Sequence, residues 1–255
     1  MEVSATVAAL RAEGLVKRFG ARRALAGVTL EVAAGTALGL VGANGAGKTT
    51  FIKCALDLCA ADDGHVEIFG VDARNAAARV RLAYVPERFV PPYYLLGREF
   101  LAMTLELAGA EFDAGRAREL ALELELEPQA LERPVRQLSK GMTQKLGLAA
   151  CFLRETSLYV LDEPMSGLDP AGRVAVKSAL ARLQRAGRTL FFTSHVLADV
   201  EELCPTIAVL DRGELRFRGP PAELCRRFGE DDLERAFLAC IRSHADASAA
   251  PAICA

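Results

Sequence analysis

Residues 42–50 read GANGAGKTT and lie between an apolar run, Thr36–Val41 (TALGLV), and Lys48–Leu58 (KTTFIKCALDL), whose apolar residues recur at helical spacing. The apolar run predicts a buried strand. Strand, glycine loop, lysine and threonine in that order make a phosphate-binding P-loop. Gly42, Gly45 and Gly47 allow the tight turn that points successive N–H groups inward. The helix N-terminus beneath adds the positive end of its dipole. Lys48 is expected to place its charge on β- and γ-phosphates, and the Thr49 hydroxyl to ligate Mg²⁺. Asn44 and Thr50 complete the predicted nucleotide-binding stretch. The plain alternative, a glycine-rich turn capped by a lysine, does not account for the flanking strand and helix. The stretch predicts binding of a nucleoside triphosphate.

At 255 residues the chain is long enough for one large domain or two small ones. Its 51% hydrophobic and 25% charged content is that of an ordinary globule. A net charge of −2 gives no global electrostatic case for nucleic acid or an anionic membrane as direct partner. Seven scattered cysteines without a CxxC pair suit reduced thiols rather than a disulfide framework or structural zinc. No apolar run reaches the length of a membrane span, and the N-terminus lacks a basic segment followed by a long apolar core. A cytoplasmic protein is expected, with any membrane contact made through a partner.

Ala12–Phe19 and Leu25–Val32 read as strands joined by a basic turn, Gly20–Arg23. A turn at Asp62–Gly64 and a short strand, His65–Phe69, follow the P-loop helix. Further strands are predicted at Leu82–Val85, Leu158–Leu161, Thr189–Phe192, Ile207–Leu210 and Leu215–Phe217. From Leu96 to Leu153 the pattern is helical, with Phe100, Met103, Thr104 and Leu107 on one face and Ala117, Leu120, Ala121 and Leu124 on another. The alternating Glu119–Leu126 is assigned to helix on its Glu/Leu composition. Ala171–Ala186 is a predicted helix. A last one, Asp231–Ile241, would present Leu233, Phe237, Leu238 and Ile241, and the small polar tail from Ser243 is expected to be disordered. The fold class is α/β: a P-loop core with a mostly parallel sheet covered on both faces, an N-terminal antiparallel β portion, and an inserted helical subdomain at about 90–155.

Three further motifs bear on chemistry. Asp162-Glu163 closes the strand Leu158–Leu161, which puts both carboxylates at the carboxyl edge of a parallel sheet. One acid there can hold Mg²⁺ and the other can polarise an attacking water; a solvated acidic pair is the plain alternative. His195 follows another apolar strand ending at the same edge. A lone histidine is as often structural, but here it can reach a γ-phosphate and orient the carboxylate. In LSKGM (138–142), Ser139 is a natural N-cap and Gly141 permits close backbone approach; alone, this is an ordinary capped helix.

As a set, these elements resemble the ATP-binding subunit of ATP-binding cassette (ABC) transporters over about residues 10–240. GANGAGKTT resembles the Walker A loop, and LYVLDE resembles Walker B. The resemblance implies Asp162 in the magnesium role and Glu163 as general base. SGLD (166–169) is similar to the D-loop and brings Asp169 into the nucleotide-binding set. His195 in TSHVLADVEELC takes the place of the switch histidine, and LSKGM stands where the family has LSGGQ. LVKRFG puts Phe19 where an aromatic ring stacks on adenine. ATP and Mg²⁺ are the implied ligands.

The resemblance also implies two cassettes sandwiching two nucleotides head to tail. Ser139 and Gly141 of one would close on the γ-phosphate held by Lys48 of the other. The partners are a second ATPase subunit, identical or not, and a polytopic membrane permease docking near Glu87–Leu96; no nucleic-acid partner is implied. Residues 1–219 would form the ATPase domain and 220–255 a short helical extension with a flexible tail. The chain departs from the family wording at Ala43, Met165, Lys140 and Glu87, the last standing where a glutamine usually reaches Mg²⁺. YVPE with LSKGM and the terminal LERAFL resembles bacterial exporter ATPases of the antibiotic-resistance and sodium-efflux branch. A soluble ABC ATPase acting on nucleic acid is the competing class, but the chain has one cassette, no long heptad run and no basic surplus. A kinase or GTPase would leave LSKGM and the SGLD–His195 spacing without a role.

Overall fold

A computed structural model of the protein describes residues 8–249. The sequence forms, in order, β1 (Ala8–Phe19), β2 (Arg22–Ala33), β3 (Ala37–Val41), α1 (Lys48–Ala55), β4 (Asp63–Ile68), β5 (Val71–Asp72), β6 (Leu82–Val85), α2 (Gly97–Leu107), α3 (Ala114–Glu123) and α4 (Lys140–Leu153). There follow β7 (Leu158–Leu161), α5 (Pro170–Arg185), β8 (Thr189–Ser194), α6 (Leu197–Leu203), β9 (Thr206–Asp211), β10 (Glu214–Gly219), α7 (Pro221–Phe228) and α8 (Leu233–Ala249). Short 3-10 turns lie at Ala76–Arg79, Pro128–Glu132 and Val135–Gln137.

Six strands form one sheet in the order β10-β9-β3-β8-β7-β6, parallel except for β10 against β9. A four-stranded antiparallel sheet, β2-β1-β4-β5, lies beside it. Period-2 alternation explains how the six-stranded sheet is covered on both faces. Leu38, Leu40, Leu158, Val160 and Phe191 face a core shared with α1 and the antiparallel sheet. Val41, Tyr159, Leu161, Leu190 and Phe192 face a second core shared with α2 to α6. Burial on both sides is why these strands read as continuous apolar runs. The parallel strands β3, β6, β7 and β8 all end at one edge, and the predicted site residues follow those ends.

Several expectations are corrected. The turn expected at Asp62–Gly64 is already strand at Asp63; Asp62 instead accepts from Lys17 Nζ (2.9 Å) and the Arg18 amide (2.6 Å). The helix expected through Glu119–Leu126 stops at Glu123, because Glu125 takes a left-handed φ of 55° that turns the chain and buries Leu124 and Leu126. On α2 the buried face is Phe100, Leu101 and Leu105, which pack towards α4, while Leu107 is 81% exposed in the last turn.

On α8 the buried residues are Leu233, Ala236 and Cys240, with Phe237 alongside; Leu238 points outward. The small Ala236 and Cys240 allow close approach to the core, which a search for large apolar residues overlooks. The segment from Ser243 is helical to Ala249 rather than disordered, in keeping with its alanine content. The expected flexible tail beyond it, Cys254 and the N-terminal seven residues lie outside the described residues. Cys54, Cys59, Cys151, Cys204 and Cys225 form no disulfide, and burial pushes the Cys54 and Cys151 thiols up to about 12, which disfavours the thiolate.

Candidate functional site

β3 delivers the chain into the glycine loop, and α1 begins at Lys48 with no side chain capping its N-terminus. Its first N–H groups therefore face the loop without a side-chain partner. Two glycines are fixed by sterics. A β-carbon on Gly42 would lie 2.3 Å from the Leu210 carbonyl oxygen. Gly47, at φ +114°, would put one 2.6 Å from the Ala24 carbonyl oxygen, in a conformation few other residues adopt. The loop is thus pressed between the start of β2 and the end of β9.

Over this loop opens a cavity of about 440 Å³, within the range of small-ligand sites. Of the predicted site residues, Phe19, Asn44, Gly45, Gly47, Lys48, Thr49, Thr50, Glu87, Glu163 and His195 line it. Gly42 lies beneath the loop, and Asp162 is fully buried behind Glu163. Ser139, Gly141 and Asp169 do not reach this cavity. Ser139 caps α4 by accepting from the Met142 amide (3.2 Å), and Asp169 caps α5 by accepting from the Gly172 amide (3.3 Å). Arg22 and Ala24 also line the cavity. Sequence reading took Arg22 only as part of a basic turn, since nothing local shows that the hairpin end lies against the loop.

At the floor, Lys48 Nζ donates to the carbonyls of Gly42 (2.7 Å) and Ala43 (3.4 Å) and faces Glu163 Oε1 at 3.9 Å. Glu163 Oε2 accepts from His195 Nδ1 (2.8 Å) and from the His195 amide (3.3 Å). Because a carboxylate only accepts, the imidazole carries its proton on Nδ1 and turns Nε2 away from Glu163. The Glu163 amide donates to Thr193 Oγ1 (2.9 Å), whose hydroxyl donates to Asp162 Oδ1 (2.6 Å). Thr193 therefore fixes both acids from the neighbouring strand; its signal, a threonine two residues before the histidine, was overlooked. Glu163 also adopts a left-handed φ of 52°. Such a backbone conformation persists where the surroundings hold it, as Thr193 and His195 do here.

Asp162 Oδ2 is buried without a partner, and so is the Tyr84 hydroxyl. Burial, with the Asp162 carboxylate nearby, pushes the Tyr84 phenol up to about 12. Asp162 Oδ2, the Thr49 hydroxyl and the Glu87 carboxylate are hard oxygen donors of the kind Mg²⁺ takes. Among the described residues no group of three or more His, Cys, Asp or Glu could hold a metal by itself. An ion here would fill its shell from phosphate oxygens and water, as Mg²⁺ does at triphosphates.

A glycine loop between strand and helix, with a fixed carboxylate and histidine at the ends of neighbouring parallel strands, defines a P-loop nucleotide-binding cassette. The ABC transporter family model matches residues 25–166, more than half of the chain, and the chain belongs to that family. An uncharacterised ABC transporter ATP-binding protein of Synechocystis is 38% identical over 77% of this chain and 56% of its own length. A daunorubicin resistance ATP-binding protein of Streptomyces coeruleorubidus is 36% identical over 89% of this chain and 72% of its own. A bacitracin transport ATP-binding protein of Enterococcus faecalis is 34% identical over 81% and 67%. The chain spans 56% and 61% of the length of the Synechocystis protein and a second cyanobacterial relative, from Nostoc. A solved ATP-binding subunit of an ABC transporter superposes with a TM-score of 0.81 at 29% identity, covering 91% of this chain and 98% of that one. No described helix is long and apolar enough to cross a membrane.

Proposed function

We propose that this chain binds and hydrolyses ATP as one of a pair of cassettes that drive a separate polytopic membrane permease, in the direction of export. The observation that carries this reading is Glu163, held by His195 and anchored through Thr193, 3.9 Å from Lys48 across the cavity floor. ATP would lie with its base at Phe19 and its β- and γ-phosphates over the loop and Lys48. Glu163 takes a proton from water as the water oxygen bonds to the γ-phosphorus; the bond to the bridging oxygen breaks and ADP leaves. His195, through Nδ1–H, holds the accepting oxygen in place. Mg²⁺, held by Thr49, Asp162 and Glu87, would supply neutralising charge to the phosphate oxygens.

That Ser139, Gly141 and Asp169 miss the cavity of their own chain supports a site completed by a second copy, whose α4 N-terminus would supply the missing lid. The resistance and transport functions in the names of the relatives favour export. The substrate would be set by the permease. In this reading residues 1–219 form the cassette, with the helical subdomain at about 90–155, and 220–255 an extension. The cassette would work at the cytoplasmic face of the membrane, attached through the permease. The assignment is tested by co-expressing the chain with a polytopic membrane protein taken from its own gene neighbourhood. A stable complex whose ATP turnover responds to the permease supports it; a chain that hydrolyses ATP but stays apart from that protein overturns the transport half.

Phe19→Ala is expected to weaken ATP and GTP alike, by about tenfold, since ring stacking is worth ~1–3 kcal/mol and makes no base-specific hydrogen bond. Fluorescence titration with both nucleotides checks this, and unchanged affinities would remove Phe19 from the site. Glu87 brings a carboxylate to the cavity that also holds Glu163. Its charge is tolerable beside the phosphates only when Mg²⁺ is bound. Glu87→Gln should therefore tighten ATP binding in EDTA and flatten the Mg²⁺ dependence of turnover. Superimposable curves for the two proteins, with and without metal, would take the Glu87 charge out of the site.

A further inference from the structure

Among the described residues, Arg22 and Lys48 are the Arg and Lys side chains that line the cavity. Arg22 opens β2 and pairs across the hairpin end with Phe19. Its Nη2 donates to the Gly45 carbonyl at 3.1 Å, so its guanidinium lies on the outer rim of the phosphate loop. Two residues on, Ala24 presses its carbonyl against Gly47. The start of β2 thus runs alongside the loop and holds Arg22 at the cavity between its strand partner Phe19 and the Gly45 carbonyl. Among the described residues no carboxylate pairs with Arg22. One donor is used on Gly45, and a guanidinium has five. On the other flank, Lys17 Nζ sits 5.4 Å from the Phe19 ring centroid, occupying part of that ring's surroundings from the side of β1.

We propose that Arg22 binds the α-phosphate of the nucleotide. The inference rests on the nucleotide reading given above. With the base at Phe19 and the β- and γ-phosphates at Lys48, the group left between them is the ribose and α-phosphate. An unpaired guanidinium tethered there to the loop matches an anionic oxygen in charge and donor geometry. The contact is common to ATP, ADP and GTP, so it contributes affinity without reading the γ-phosphate or the base.

The test compares wild type, Arg22→Ala and Arg22→Lys by calorimetric titration with ATP, ADP and GTP, and by competition with inorganic pyrophosphate. Arg22→Ala is expected to weaken all three nucleotides by the same factor, about tenfold, the loss of one charge-assisted hydrogen bond at a partly exposed site. Pyrophosphate, which occupies only the β/γ region, should compete with unchanged affinity. Arg22→Lys, which keeps the charge, should recover most of the loss. A pyrophosphate affinity that falls in step would make Arg22 a prop for the loop. A larger loss for ATP than ADP would place it at the γ-phosphate, and unequal losses for ATP and GTP would place it at the base. No change at all would remove it from the ligand. Each of these four outcomes overturns the proposal. Folded wild-type protein that binds no ATP would instead overturn the nucleotide reading.

Discussion

Glu163→Gln is expected to lower ATP turnover about a thousandfold while leaving ATP affinity within about twofold, the signature of a lost general base. The substitution preserves side-chain size and keeps the anchors: its amide still donates to Thr193 Oγ1, and a carboxamide oxygen can still accept from the His195 amide and Nδ1. What disappears is the carboxylate that takes the proton from water. Asp162 cannot replace it, because it is fully buried and tied to Thr193 on one oxygen. If closure of two cassettes precedes hydrolysis, the variant should also accumulate as an ATP-bound dimer. Phosphate release measures the first effect, and size-exclusion chromatography with ATP and Mg²⁺ the second. A variant that turns over normally would end the assignment of Glu163 as base. One that stays monomeric at saturating ATP would end the paired-cassette model.

Lys48→Ala should weaken ATP by about a hundredfold or more, ~3 kcal/mol, and bring turnover below detection. Lys48 is 7% exposed, and its ammonium is already turned into the cavity floor by the carbonyls of Gly42 and Ala43. It meets a phosphate pre-oriented and largely desolvated, where a charge counts for more than it does in water. Its removal leaves Glu163 facing the phosphates without the cation 3.9 Å away, so repulsion adds to the lost attraction. Stability should change little, since the two carbonyls border a cavity that admits water. Calorimetric titration together with thermal unfolding checks both points; equal ATP affinity in the folded variant would show that Lys48 does not touch the nucleotide.

Much of this protein is set by local pattern. The strand–loop–helix at 36–58, the apolar strands ending at Asp162 and at His195, and the N-cap at Ser139 follow from periodicity, glycine placement and capping chemistry, each confined to about ten residues. The structure reproduces them with shifts of a few residues at most. The faces of α2 and α8, and the short helix α6 within the TSHVLADVEELC segment, were less legible. Which side of a helix is buried depends on what packs against it, and the small residues Ala236 and Cys240 do the packing where larger neighbours were expected.

The site itself needed the tertiary structure. Placing β8 between β3 and β7 is what sets His195 against Glu163 and lets Thr193 hold both acids. Nothing within the separate motifs states that order, because strand order is chosen by pairing between segments distant in the sequence, Ala37 with Leu190 and Leu158 with Thr189. The same holds for Arg22, brought to the Gly45 carbonyl only because the antiparallel sheet packs its hairpin end over the loop. Backbone conformation and side-chain periodicity are short-range properties that a sequence displays directly. Contacts across the sheet are decided by how the two apolar cores close around it, and only the folded chain reveals them.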